Sequence, residues 1–266
     1  MPFDPPTRVE YPAPSDWPEV RRRVSPPSQA LVLEVATRLA HRVPGNIIEF
    51  GVAGGHSARV IRQTLDRLQR LQIAGPKKRI FACDSFLGLP EEYENVFVGA
   101  FASRRPEIRG VEIVEGYFED SLTAELARRV GRVALAHLDA DLYSSTLGAL
   151  RWLTPLLDAG SVLLFDEYLG ADGTGERLAH EHWLAETGLR TVPVAEFLRE
   201  ASGKGGNRDH GSTPDRRVLF MVVGSTDPTP NPVIRIPDLV RDASRRLRRM
   251  LPSSVRARGS SRLRWK

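Results

Sequence analysis

Cysteine and long apolar runs are both scarce in this chain of 266 residues. The single cysteine, Cys83, excludes an intramolecular disulfide and a zinc cluster built from cysteines and histidines. No stretch approaches the roughly 20 apolar residues that a membrane-spanning helix needs, and residues 1–14 lack the apolar core of a secretory signal. These absences favour a cytoplasmic location, where thiols stay reduced.

Positive charge is concentrated in the last part of the chain. Residues 241–266 hold ten lysines and arginines against one acid, whereas the other 240 residues hold 28 basic and 32 acidic groups. The mildly acidic body argues against a nucleic-acid-binding core. Two interpretations of the tail stay open: a basic amphipathic segment that contacts the inner membrane surface peripherally, or a disordered solubilising extension.

Prolines mark the first boundary in the chain. Residues 1–27 contain eight prolines, which exclude a continuous helix and a central strand. Together with a helix predicted at 27–42, they form a first segment of residues 1–44, a proline-rich arm and N-terminal helix. A main domain of residues 45–225 follows, and residues 226–266 form the basic C-terminal tail.

Strand-like and helix-like segments alternate through the main domain. Short apolar runs predict strands at 46–52, 79–83, 111–114, 133–138, 161–165 and 217–223. Apolar residues at helical spacing predict helices at 56–72, 122–130, 145–157 and 176–187. This alternation predicts an α/β fold with a mainly parallel sheet that is covered by helices on both faces.

Glycines follow the first predicted strand. The strand that ends at Phe50 runs into Gly51, Gly54 and Gly55, and a helix opens directly afterwards. Glycines allow a tight turn and a close approach of the backbone to a ligand, and such crevices at strand ends bind ligands in open parallel sheets. The spacing differs from the dinucleotide pattern G-x-G-x-x-G, and a tight turn without a ligand is the alternative.

Acids follow nearly every predicted strand. Asp84 follows the second strand, Asp139 and Asp141 the fourth, and Asp166 and Glu167 the fifth. Because the carboxyl ends of parallel strands meet at one edge of the sheet, these carboxylates should converge. A phosphate-bearing ligand would sit badly among them, and no P-loop occurs, which disfavours nucleotide triphosphatases and kinases.

The converging acids suggest two kinds of ligand. A carboxylate after the second strand suits the two vicinal hydroxyls of a ribose. Carboxylates from the next two strand ends form a hard-oxygen site of the kind that holds Mg²⁺, and such an ion lowers the pKa of a bound hydroxyl. Ordinary capping of the following helices is the alternative for each acid taken singly.

Five motifs together resemble the macrocin/mycinamicin O-methyltransferase family, over roughly residues 45–170. They are Glu49-Phe50-Gly51, Asp84–Pro90, Phe118–Leu122, His137–Thr146 and Phe165–Tyr168. The family consists of class I methyltransferases that use S-adenosylmethionine and Mg²⁺ and act on sugar hydroxyls of natural products. The resemblance implies a Rossmann-like fold with a seven-stranded sheet, parallel except for the last strand.

The resemblance also implies roles for individual residues. Glu49, Gly51 and Gly55 would line the methionine half of the cofactor, Asp84 and Ser85 would meet the ribose, Asp120 would lie near the adenine, and Asp139 would also contact the cofactor. Asp139, Asp166 and Glu167 would hold the metal ion. Asp139 or Asp141 would be the general base. The implied acceptor is a small molecule or glycan with a free sugar hydroxyl. Homo-oligomerisation is a further expectation for this chain.

Two other functions stay open. A nucleotide-sugar or nicotinamide-dependent oxidoreductase would want a phosphate-binding glycine pattern and usually a Tyr-x-x-x-Lys pair, and neither occurs. A non-catalytic methyltransferase-like scaffold in a glycan or antibiotic pathway would have no need for the carboxylates that this chain contains. Binding of S-adenosylhomocysteine together with a turnover assay separates the three.

Several single residues are expected to have structural rather than functional roles. His180 and His182 lie two positions apart on a predicted helix, so they face different directions, and we expect both to be exposed to solvent. His137 is expected to pack, and Cys83 is expected to be buried within its strand. Tyr168 follows the carboxylate pair directly and is a candidate for the acceptor pocket.

Overall fold

Strands and helices alternate along the chain as the apolar pattern predicts. The structure is a computed structural model that describes residues 29–92, 96–168, 175–198 and 216–225. The strands are β1 (Asn46–Phe50), β2 (Ile80–Asp84), β3 (Glu112–Glu115), β4 (Val133–Leu138), β5 (Leu157–Phe165), β6 (Leu189–Leu198) and β7 (Arg216–Ser225). The helices are α1 (Gln29–Ala40), α2 (His56–Arg70), α3 (Phe118–Ser121), α4 (Ala124–Val130), α5 (Tyr143–Leu153) and α6 (Glu176–Thr187). The predicted proline-rich arm before residue 29 and the basic tail lie outside the described residues.

The strands form one seven-stranded sheet in the order β3-β2-β1-β4-β5-β7-β6. Strands β1 to β5 pair in parallel with their neighbours, and β7 runs antiparallel to both β5 and β6. The predicted Rossmann-like α/β fold is therefore confirmed. The chain moves outward from β1 to β3 and then returns to β4, so the sheet order reverses between β1 and β4, where open α/β sheets bind ligands.

Apolar cores lie on both faces of the sheet. On one face, α1 and α2 pack Leu33 and Ile61 against strand residues such as Ile47. On the other face, α5 and α6 contribute Leu150 and Trp183. All six residues of β4 are buried, as expected for the central strand of a parallel sheet covered on both faces.

Strand β6 is absent from the sequence-based prediction, and so is the short helix α3. Within the described part of the chain, β6 pairs only with β7 and therefore lies at an edge of the sheet. Proline has no N–H to donate to a strand ladder, and edge strands tolerate it. Pro193 lies in the middle of β6, where the register shifts. Because proline disfavours a strand assignment, β6 is not predicted from the sequence.

The prediction that His180 is exposed to solvent is wrong. His180 is 1% exposed and packs in a ring cluster with Phe165, Trp183 and Phe220. Its Nδ1 lies 2.9 Å from the Tyr168 hydroxyl. The buried residues of α6 include positions 176, 179, 180 and 183, which is the spacing of one helical stripe. Two of these four residues, Glu176 and His180, are polar, so a pattern based on apolar residues alone does not predict the stripe.

Among the described residues, no helix combines the length and the apolar character that crossing a membrane requires.

Stability should depend on pH through His180. Burial lowers the pKa of His180 from its usual 6.5 to about 3. Below pH 6.5 the unfolded chain binds a proton at this histidine that the folded protein excludes, so the contribution of His180 to the free energy of unfolding should fall as the pH falls toward 3. The loss is at most about 1.4 kcal/mol per pH unit.

Urea denaturation at pH 7 and pH 5 measures this effect. The wild-type protein should lose up to about 2 kcal/mol more than a His180→Asn variant between these two values. His182→Asn is the matched control, because His182 is only half-buried on the same helix, and it should keep the wild-type dependence. An unchanged dependence in His180→Asn would contradict the assignment.

Candidate functional site

A cavity of about 650 Å³ opens at the carboxyl ends of β1, β2 and β4. Its walls come from the turn between β1 and α2, the loop after β2, helix α3 and residues along the length of α5. Six of the residues predicted for the site line it, namely Gly51, Asp84, Ser85, Asp139, Asp141 and Glu167. The strand ends therefore bring most of the predicted carboxylates together.

Four residues predicted for the site do not line this cavity. Glu49 is fully buried, and Asp166 is buried as well, so both lie beneath the cavity wall. Gly55 directly precedes α2, and a Cβ added there would meet Ile108 at 2.6 Å. Asp120 is exposed, and the neighbouring residue Glu119 lines the cavity in its place. Their cofactor and metal roles stay predictions.

Gly51 allows β1 and β4 to approach each other closely at the cavity. Its φ is +89°, and a Cβ added there would lie 1.8 Å from the carbonyl oxygen of Asp139. The Asp139 N–H donates to the Phe50 carbonyl at 2.9 Å. Packing against the backbone of Asp139 therefore requires glycine at position 51. The close approach also sets the backbone position from which the Asp139 side chain extends.

Asp84 organises the glycine turn. One of its carboxylate oxygens accepts the N–H groups of Val52 at 2.7 Å and Ala53 at 2.8 Å. The other oxygen accepts the Phe86 N–H at 2.7 Å. A carboxylate has about four acceptor positions, so Asp84 can bind one further hydroxyl while it holds the turn.

A buried row of four charged side chains crosses four neighbouring strands beneath the cavity. His137 Nδ1–H donates to Glu49 Oε1 at 2.8 Å, and both side chains are fully buried. His137 Nε2 lies 4.0 Å from Asp166 Oδ1, which is too long for a hydrogen bond. Arg217 then donates to both oxygens of Asp166, through Nε to Oδ1 and through Nη2 to Oδ2 at 3.0 Å. We call Glu49, His137, Asp166 and Arg217 the buried charged row.

The row changes the proton affinities of the groups around it. Burial alone would lower the pKa of His137, but contacts with Asp166 and Glu49 outweigh it and raise this pKa to about 10. Burial would raise the pKa of Asp166, yet His137 and Arg217 hold it well below its usual value. Burial and the charge of Asp166 raise the pKa of Asp139 to about 8.

Burial favours the protonated, neutral form of two further groups, Cys83 and Glu176. Burial raises the pKa of the Cys83 thiol far above its usual value, and the charges of Glu49 and Asp84 raise it further. Cys83 is buried, as predicted. Burial also raises the pKa of Glu176 well above its usual value, and its Oε2 accepts the Glu167 N–H at 2.9 Å.

The three carboxylates predicted to hold a metal ion do not form one open site. Asp139 and Glu167 line the cavity, but Asp166 does not, and both of its oxygens accept hydrogen bonds from Arg217. Candidate ligand atoms of His137, Asp139 and Asp166 do lie within 4.8 Å of one another. An ion among these atoms would have to share Asp166 with a guanidinium. The arrangement of these residues therefore does not fit the predicted Mg²⁺ ion.

Arg217 and the pairing of His137 with Glu49 were missed by reasoning from the sequence. Arg217 stands at the start of an apolar strand, and only the antiparallel register of β7 with β5 places it beside Asp166. In that register Val218 lies opposite Phe165. His137 and Glu49 are direct neighbours across β4 and β1, and their shared position near the strand ends is the one signal that could have suggested the pair.

Comparison with known proteins shows which proteins this chain resembles. Residues 48–168 match the family described as "Methyltransferase domain". A Streptomyces olivaceus protein, "8-demethyl-8-(2,3-dimethoxy-alpha-L-rhamnosyl)-tetracenomycin-C 4'-O-methyltransferase", is 29% identical over 177 residues, which are 58% of this chain and 65% of that protein. "Demethyldecarbamoylnovobiocin O-methyltransferase" of Streptomyces niveus is 25% identical over 153 residues, or 49% of this chain and 55% of that protein. This chain therefore spans less than two thirds of either relative.

Solved structures show the same fold. The O-methyltransferase NovP superimposes with a TM-score of 0.54 at 18% identity, over 73% of this chain and 79% of NovP. The calicheamicin methyltransferase CalS11 superimposes with a TM-score of 0.52 at 23% identity, over 72% of this chain and 77% of CalS11. The protein thus has the Rossmann-like fold of these methyltransferases, and its residues 48–168 match the methyltransferase-domain family.

Proposed function

We propose that this protein is an S-adenosylmethionine-dependent O-methyltransferase that acts on a hydroxyl of a sugar, a glycosylated natural product or a polysaccharide. One observation carries the proposal: the Asp139 carboxylate stands at the end of β4 in the same cavity as the glycine turn and Asp84. This arrangement offers a cofactor site and a base side by side. The matched family and the two curated relatives support it.

The residues present fit the cofactor. When bound, S-adenosylmethionine supplies a methyl group activated by a positively charged sulfur. Glycine at position 51 lets the turn lie close to the Asp139 backbone, where a side chain would collide, and the position of Asp84 and Ser85 on the wall suits the ribose hydroxyls. The surrounding carboxylates favour a cationic ligand over a phosphate.

Asp139 would accept the proton of the acceptor hydroxyl. A general base is most effective when its pKa lies near the working pH, and burial together with the charge of Asp166 raises the pKa of Asp139 to about 8. Asp141 also lines the cavity and is half-buried, with a positive φ of 57°. It is the second candidate for the base. Positioning of the hydroxyl would supply much of the remaining rate.

The names of the relatives support the proposed acceptor class. The Streptomyces olivaceus protein is named for methylation of a rhamnosyl group, which favours a sugar hydroxyl here as well. A non-catalytic scaffold remains the second candidate, because a protein can keep a cofactor cavity without turnover. Homo-oligomerisation stays a prediction. Membrane contact through the basic tail also stays a prediction, and the tail lies outside the described residues.

Mass spectrometry of candidate glycosides tests the proposed function. Incubation with the protein and S-adenosylmethionine should add the mass of one methylene group to an acceptor and release S-adenosylhomocysteine. Binding of S-adenosylhomocysteine without any methylated product across a broad panel of glycosides would favour the scaffold. Absence of binding would contradict both functions.

Gly51 should be irreplaceable in cofactor binding. In Gly51→Ala the new Cβ would collide with the Asp139 carbonyl and would occupy a left-handed conformation that alanine disfavours. Calorimetry should show at least a tenfold loss of affinity for S-adenosylhomocysteine, or about 1.4 kcal/mol. Gly54→Ala is the matched control, since a Cβ there meets nothing within 4 Å. Wild-type affinity in Gly51→Ala would refute the role of the turn.

Asp139 and Asp141 can be separated by kinetics. Asp139→Asn removes the proposed base with little change in shape, so kcat should fall by about 10²–10⁴ with a much smaller change in cofactor affinity. Asp141→Asn should reduce kcat by less than about tenfold. The opposite order in steady-state assays would assign the base to Asp141 instead.

A further inference from the structure

The pairing of two strands delivers a guanidinium to a position where the sequence predicts a metal ligand. Strand β7 is antiparallel to β5, with Val218 opposite Phe165. The next residues along the two strands, Arg217 and Asp166, therefore face each other. Their side chains are only 8% and 4% exposed, so the pair is sealed beneath the cavity.

The hydrogen bonds between Arg217 and Asp166 form a two-point contact. Nε and Nη2 donate to Oδ1 and Oδ2 respectively. Such paired contacts between a guanidinium and a carboxylate are strong and fix the orientation of both groups. Asp166 is therefore held by a charge that is part of the protein and cannot dissociate, and an arginine stays protonated at every working pH.

The carboxylates at and beneath the cavity wall require compensating positive charge. Glu49, Asp139 and Asp166 all lie close to His137 or to one another beneath or at the cavity wall. Buried carboxylates are stable only when opposite charge compensates them. Arg217 supplies such charge to Asp166 from β7, where the sequence predicts a divalent cation.

We propose that Arg217 is a positioning residue that takes the place of a divalent cation at Asp166, so that this enzyme holds Asp139 for catalysis without a bound metal ion. This inference rests on the proposed methyltransferase function. Arg217 acts through Asp166, whose backbone N–H donates to the Leu138 carbonyl at 2.9 Å and whose carboxylate lies within 4.8 Å of candidate ligand atoms of His137 and Asp139. Arg217 itself does not line the cavity.

Binding of Mn²⁺ by the full-length protein tests the proposal independently of methyl transfer. Electron paramagnetic resonance should show the free Mn²⁺ signal undiminished by the wild-type protein, with or without S-adenosylhomocysteine. Methyl transfer, once an acceptor is found, should continue in EDTA. A stoichiometric Mn²⁺ site that is lost in Asp166→Asn would overturn the proposal, as would activity that EDTA abolishes and Mg²⁺ restores.

Removal of the guanidinium should expose the cation site. Arg217→Gln leaves Asp166 without its two-point partner, so this variant should gain Mn²⁺ binding and a metal-dependent rise in Tm, and both should vanish in the double variant Arg217→Gln/Asp166→Asn. In the single variant Arg217→Gln, kcat without metal should fall at least tenfold while KM for S-adenosylmethionine changes little. The variant Arg217→Lys should keep part of the activity that Arg217→Gln loses. Arg151→Gln is the matched control, because Arg151 makes the same two-point contact with Glu186 on the surface.

The outcomes separate this inference from the proposed function. If no acceptor is methylated, the Mn²⁺ measurements still decide whether Arg217 fills a cation site. If Arg217→Gln folds and gains no Mn²⁺ binding, Arg217 does not stand in for a cation and the inference fails. If that variant does not fold, the wild-type Mn²⁺ titration alone decides between the two outcomes.

Discussion

The buried charged row beneath the cavity is the constraint on which the site depends. Four charged side chains on neighbouring strands can be buried only because each has an opposite charge beside it. Glu49 meets His137, His137 faces Asp166, and Asp166 meets Arg217. The row connects β1, β4, β5 and β7 at the carboxyl ends of the parallel strands, which is where the cavity opens.

The position of Asp139 follows from this row and from one glycine. Gly51 leaves room for the Asp139 backbone, and the row sets the charge beneath the Asp139 side chain. Burial and the charge of Asp166 raise the pKa of Asp139, whereas the positive His137 opposes that rise. The contacts that hold the strand ends together therefore also set the pKa of Asp139, the proposed base.

Much of the fold and part of the site could be predicted from the sequence. Glycines and acids at strand ends predict a convergent site in any parallel sheet, so Gly51, Asp84 and Asp139 were found without coordinates. Glu49 is predicted to bind the cofactor, and the structure shows it buried and paired with His137, outside the lining of the cavity. Arg217 could not be found, because its partner depends on the register of an antiparallel strand that is distant in sequence. His180 was misjudged because a polar residue can occupy a buried helical stripe.

A crystal structure with S-adenosylhomocysteine tests the central claim most directly. The account predicts that the homocysteine sulfur lies between the Gly51 turn and Asp139, with a ribose hydroxyl within hydrogen-bond distance of Asp84. It also predicts that Glu49 stays paired with His137. A cofactor bound away from the ends of β1 and β4, or a ribose without contact to Asp84, would contradict the account.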